Sequence, residues 1–204
     1  MMKIALCGPS GVGKTTLAKY IAEEFNIEYV PGSASLIMDD ETRDELRQRF
    51  HYIPAGHKNV INFSSSNPSF GIAFQEKLLE CRIKKLSNKE NFVTDRSPVD
   101  NIVYYLTQCS HNATQEQTNS HIIKSILFAH RLTHLINIRV VNQEDIEDNN
   151  SRITNKFFQE TMDAVFQYVL RTYICKRNHR DLKILEINFW NLKKRKEFVK
   201  YLLK

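Results

Sequence analysis

The residues best equipped for chemistry stand near the start of the chain. Gly8-x-x-x-x-Gly13-Lys14-Thr15 gathers three glycines (Gly8, Gly11, Gly13), a lysine and the hydroxyls of Thr15 and Thr16. Glycines at this spacing let the backbone curl so that successive N–H groups point inward at phosphate oxygens. The positive end of a following helix reinforces that attraction. Gly8, Ser10, Gly11, Val12, Gly13, Lys14, Thr15 and Thr16 are therefore expected to cradle the phosphates of a nucleotide, ATP or GTP. Lys14 would reach the outer phosphates as a point charge, and the Thr15 hydroxyl would ligate Mg²⁺.

Such a loop works only between a strand and a helix, and the flanking residues supply both. Lys3 to Cys7 is a short apolar run, and Leu17, Ile21 and Phe25 recur on one helical face. Farther on, Asn26 to Val30 reads as a second strand stopped by Pro31-Gly32. The charged stretch from Asp39 to about Phe50 reads as an exposed helix or lid. Residues 51–71 are polar and turn-rich, so 39–71 is expected to be a mobile substrate region. Ile72 to Leu86 is an amphipathic helix, Asn91 to Thr94 a short strand, and Pro98 opens another helix.

A helix from Ile122 to about Arg131, a strand from His134 to Val141 and the longest helical pattern, over 154–177, follow. Lys183 to Asn188 is the last strand and Asn191 to Lys204 the last helix. Five strands alternating with helices imply one domain over 1–204, a three-layer α/β/α sandwich on a five-stranded parallel sheet. Ligands in such sheets bind beyond the carboxyl ends of the strands. That gathers the 8–16 loop, the residues after Val30, Asp95-Arg96 and the segment after Val141 around one cleft.

Asp95 follows the third strand directly, which aims its carboxylate at the cleft and at Mg²⁺; it also stands where it could cap the helix that Pro98 opens. Arg96 beside it can clamp a phosphate. Asp95-Arg96-Ser97 resembles the D/E-R-S/Y motif of the P-loop nucleoside and nucleotide kinases, the superfamily of thymidylate kinase, the deoxynucleoside kinases and nicotinamide riboside kinase. Phe74-Gln75, with Arg82 on the same helix, is similar to the deoxynucleoside kinase helix. There the Phe stacks on the base, the Gln pairs with its edge and the Arg lies near the sugar or acceptor. Pro31-Gly32-Ser33 resembles the P-G-G of thymidylate kinases. The resemblance covers residues 3–33, 70–106 and, more loosely, 134–175. It implies Lys14, Asp95, Arg96 and Arg152 as catalytic residues, Phe74, Gln75, Arg82 and Arg96 as substrate contacts, and Thr15 with Asp95 as metal ligands. Gln75 is equally compatible with a solvent-facing helix position.

Two departures from that family pattern matter. Arg152 lies in the LID segment, about 142–155, without a second arginine close by, so an ordinary surface arginine is an alternative to a finger on the transferring phosphoryl group. The kinases that act on hydroxyls usually place a Glu just after the second strand, whereas Pro31-Gly32-Ser33-Ala34-Ser35 offers no carboxylate. A hydroxyl needs a general base, and a monophosphate is already an anionic nucleophile. The sequence thus points to a deoxynucleoside monophosphate kinase, of a kind a phage would encode. Nucleoside phosphorylation, or a P-loop ATP-binding module or kinase acting on nucleic acid, is the alternative. Asp39, Asp40 or Asp95 stands available as a base, and Arg43, Arg47 and Lys58 either assist the phosphate or are solvated charges.

Composition bounds the rest. The chain has 204 residues, 42% of them hydrophobic, and a net charge of +6. Four scattered cysteines without a C-x-x-C pair suit a reducing compartment. No apolar run approaches a membrane span, and Met1-Met2-Lys3-Ile4 leads straight into the first strand, so a cytoplasmic protein, in the host cytoplasm if phage-encoded, is expected. Residues 171–204 hold eleven Lys/Arg against Asp181, Glu186 and Glu197. A solvated helix face explains that excess better than nucleic-acid binding does. The expected partner is a small-molecule nucleotide, with a homodimer compatible.

Overall fold

Strand β1 (Lys3–Cys7) places Ile4 and Leu6 on one face and Ala5 and Cys7 on the other, all fully buried. A strand apolar on both sides belongs in the middle of a helix-covered parallel sheet. The computed structural model describes residues 1–51, 63–64, 66–140, 155–175 and 181–203, and puts β1 there. With β2 (Glu28–Val30), β3 (Phe92–Thr94), β4 (His134–Ile138) and β5 (Lys183–Ile187), the order is β2-β3-β1-β4-β5, every neighbouring pair parallel. Ala5 stands opposite Thr94 on one side and Leu135 on the other, so the loops leaving β1, β3 and β4 emerge along one edge.

The helices are α1 (Lys14–Phe25), the single turn α2 (Ala34–Ile37), α3 (Asp40–Phe50), α4 (Pro68–Ser87), α5 (Pro98–Gln108), α6 (Gln115–Ala129), α7 (Lys156–Val169) and α8 (Leu192–Leu202). On one face of the sheet Ile4, Leu6, Val93, Ile136 and Ile187 pack against Leu17 and Ile21 of α1 and Val199 of α8. On the other face Ala5, Cys7, Phe92 and Leu135 meet Val99, Ile102 and Val103 of α5, Ile126 of α6 and Phe166 of α7. A third cluster, Ile37, Met38, Leu46, Phe70, Phe74 and Leu78, ties α2 and α3 onto α4.

Several boundaries differ from the sequence reading, and capping explains most of them. α4 starts at Pro68 rather than Ile72, because Asn67 accepts from the Phe70 N–H at 3.1 Å and Pro68 sets the first turn. Residues 68–71, read from sequence as turn-rich, are therefore helical, and Phe70 is fully buried. α6 starts at Gln115 rather than Ile122, through a reciprocal capping box between Thr114 and Gln117. At 20 residues α4 outlasts the helix expected over 154–177, where α7 ends at Val169 and passes into a π turn, Leu170–Ile174. Lys58, Arg152 and nearly all of the LID segment lie outside the described residues.

Candidate active site

Gly8 must be glycine: its φ is +131°, and a Cβ there would strike the Ile138 carbonyl at the end of β4. The loop thereby sits hard against the sheet edge, and Gly13 closes it as the N-cap of α1. Ser10 and Val12 are buried in the turn, while Thr15 and Thr16 are exposed on its open side. Lys14 is 5% exposed and its ammonium donates to the carbonyls of Gly8 at 2.6 Å and Pro9 at 2.5 Å. Burial, with Arg96 nearby, pulls its pKa down to about 7. Contact with phosphate would restore the ordinary charged state.

Asp95, directly after β3, ties the first turn of α1 to the end of β2. One carboxylate oxygen accepts from the Thr15 hydroxyl at 2.5 Å and from Tyr29 at 2.9 Å, and the other from the Gly32 N–H at 2.7 Å. Burial alone would raise its pKa. The bonds from Thr15, Gly32 and Tyr29 and the charge of Arg96 outweigh burial and hold it below the ordinary carboxylate value. The expectation that Asp95 could cap α5 does not hold, because Ser97 is the cap. Its hydroxyl accepts from Val99 and Asp100, and Asp100 reciprocates onto the Ser97 backbone. Ser97-Pro98-Val99-Asp100 was legible as a capping box in the sequence.

Arg96 lies beside this centre, paired with Asp100 at 3.1 Å and packed 5.9 Å over the Tyr104 ring. Arg82 reaches across from α4, donating to the Gly32 carbonyl at 2.8 Å and to the Asn101 side chain. Burial lowers its pKa to about 10, which leaves it charged at neutral pH. Gly32 is wedged between these groups: a Cβ on it would stand 2.5 Å from the Arg96 Cβ. Gln75, two turns before Arg82 on the same face of α4, is 4% exposed, which overturns the solvent-facing alternative. Its Oε1, the Arg82 Nε and the Asn101 Nδ2 are buried without partners among the described residues. Phe74 is drawn into the apolar cluster, 5.5 Å from Phe70.

The remaining candidates stand apart from these contacts. Arg43 donates to the Ser35 and Met38 carbonyls, and Arg47 pairs with Asp44 at 2.8 Å. Asp39 caps α3 by accepting from Thr42, and Asp40 is nearly fully exposed. Sequence reasoning passed over Tyr29, Asn101 and Arg195. The detectable signal was a polar-headed aromatic one residue before a strand end and, for Arg195, a charge on the apolar stripe of the last helix.

The donor set suits a magnesium nucleotide. Thr15 and an ionised Asp95 place two hard oxygens in contact at the mouth of the loop, the chemistry Mg²⁺ prefers. Among the described residues no helix is long and apolar enough to cross a membrane.

A family model described as an AAA domain, AAA_28, matches residues 3–172. No curated protein matches the chain. Among solved structures, deoxyadenosine kinase from M. mycoides with bound dATP superposes with a TM-score of 0.61 at 18% identity, covering 100% of this chain and 99% of that one. The YorR protein from Bacillus subtilis, in complex with phosphorylated GDP, gives a TM-score of 0.51 at 16% identity over 98% and 94%. NadR protein in complex with NR gives 0.57 at 11% identity, over 98% of this chain and 50% of that one. The fold is that of the P-loop nucleoside and nucleotide kinases.

Proposed function

This chain belongs to the AAA domain family, and on that premise we propose that it is a Mg²⁺-ATP-dependent phosphotransferase, a deoxynucleoside monophosphate kinase that yields the diphosphate. One observation carries the choice of acceptor. Asp95 accepts from three donors and is held ionised below its ordinary pKa, while Asp100 is engaged by Ser97 and Arg96. Neither is free to take a proton from a hydroxyl, and the turn after β2 supplies no carboxylate. A phosphate acceptor needs no such base.

In this reading the loop N–H groups and Lys14 hold the donor phosphates, and Thr15 with Asp95 holds Mg²⁺. The ion would supply charge neutralisation across the outer phosphates. Arg82 and Arg96 orient the acceptor phosphate, Gln75 presents its buried Oε1, unpartnered among the described residues, to the acceptor, and Phe74 backs that pocket. Arg152 remains a proposed finger on the transferring group. Catalysis is then positioning and electrostatics rather than proton transfer. A nucleoside acceptor is the second reading, favoured by the Asp100 carboxylate that already neutralises Arg96 at 3.1 Å.

ADP release from Mg²⁺-ATP across the nucleosides and their 5′-monophosphates, with Lys14→Ala as the blank, tests the proposal. Stimulation by one or a few monophosphates supports it. Stimulation by the matching nucleosides establishes the second reading, and silence across the panel refutes both.

A further inference from the structure

The apolar stripe of α8 carries a cation. Arg195 is 2% exposed and lies one turn before Val199, on the face that packs toward α1. Its Nη1 donates to the Val12 carbonyl at 2.5 Å and its Nε to the Phe189 carbonyl at 2.6 Å, while the guanidinium lies 5.2 Å over the Trp190 ring. Among the described residues no carboxylate pairs with it, and its Nη2 has no partner. Burial alone acts on its pKa, downward.

A buried guanidinium with two carbonyls and, among the described residues, no counter-anion is an expensive way to fill space, since an apolar side chain of similar volume would serve packing better. The position of the charge suggests what compensates it. Nη1 stands 3.3 Å from where a Cβ on Gly13 would lie, directly behind the loop that faces the phosphates. Arg195 holds the Val12 carbonyl toward α8, so that negative dipole end is taken up by a donor rather than left open to compete with the loop N–H groups for the phosphates. One residue thus ties the segment after β5 and the last helix to the donor loop.

We propose that Arg195 is a positioning residue for the donor nucleotide: it holds the Val12 carbonyl toward α8, and its charge is balanced by the phosphates held on the other side of the loop. This rests on the reading of that loop as a nucleoside triphosphate site.

The test is calorimetric binding of Mg²⁺-ATP, ADP and inorganic tripolyphosphate to the full chain and to Arg195→Met, Arg195→Lys and Lys194→Gln, with urea midpoints for each. The Met variant is expected to lose about tenfold in affinity for ATP and tripolyphosphate and about threefold for ADP, because the effect scales with phosphate charge. The Lys variant should recover part of the loss, and exposed Lys194→Gln should stay within about twofold of the parent chain. If Arg195→Met does not fold, Arg195→Lys carries the test through its unequal loss of ATP and ADP affinity. Unchanged ATP affinity, or equal loss for ATP and ADP accompanied by a lower urea midpoint, overturns the role. Failure of the parent chain itself to bind ATP overturns the nucleotide reading of the loop, and this inference with it.

Discussion

Replacing Asp95 by asparagine keeps the side-chain shape and removes its charge, which separates architecture from chemistry. The amide can offer an oxygen to Gly32 or to Thr15 and Tyr29, but not to both sides, because its NH₂ accepts nothing. The lesser loss is the Gly32 bond. A hydrogen bond to a charged group is worth about 1.5–3 kcal/mol, and part of that returns because a neutral amide is easier to bury, so the net cost to folding should be about 1–2 kcal/mol. The effect on turnover should be far larger. Removing a unit charge about 4 Å from a dication costs about 8 kcal/mol at an effective dielectric constant near 20, an upper limit of about six decades in rate before solvent screening. The assay is kcat over a Mg²⁺ titration, with urea unfolding of the same preparations. A variant that loses its 1–2 kcal/mol of stability yet keeps kcat within about threefold would refute a metal-organising role and leave Asp95 a structural knot.

Other perturbations separate the parts of the site. Nucleotide affinity should fall as pH rises above 7: the Lys14 pKa is about 7 in the free protein and phosphate contact raises it, so binding takes up a proton there. Calorimetry in two buffers of different ionisation heat measures that uptake. Gly32→Ala should destabilise the chain by about 1–3 kcal/mol in urea and raise the acceptor KM, because the new methyl group displaces Arg96. Ser97→Ala removes the cap of α5 and one donor to Asp100, costing about 1–2 kcal/mol by the same measurement. Gln75→Leu should leave the urea midpoint nearly unchanged, since it removes a buried acceptor without a partner among the described residues, while acceptor KM rises at least tenfold.

Much of this organisation was legible because local rules fix it. The glycine spacing demands the loop, the apolar runs of both faces demand a central β1, and an Asp directly after a strand must reach the sheet edge. Boundaries shifted where a side-chain cap overrode composition: Thr114 and Gln117 nucleate α6 inside a polar interval, and Asn67 with Pro68 starts α4 inside a turn-rich one. The missed residues depend on tertiary partners that no local pattern carries. Tyr29 matters because the end of β2 lies beside Asp95, which is 66 positions away. Arg195 matters because the last helix returns to a loop 183 positions earlier. Gln75 stands three and four positions before Leu78 and Leu79, on the buried face of α4, so its polar type rather than its spacing hid its burial.

The most direct measurement is the phosphorus NMR spectrum of a reaction containing the chain, Mg²⁺-ATP and the deoxynucleoside monophosphates. A monophosphate kinase turns the monoester resonance of the acceptor into the paired resonances of a nucleoside diphosphate as ATP is consumed. Inorganic phosphate as the sole product, or a new monoester formed only when nucleosides replace the monophosphates, would contradict transfer onto a phosphate acceptor.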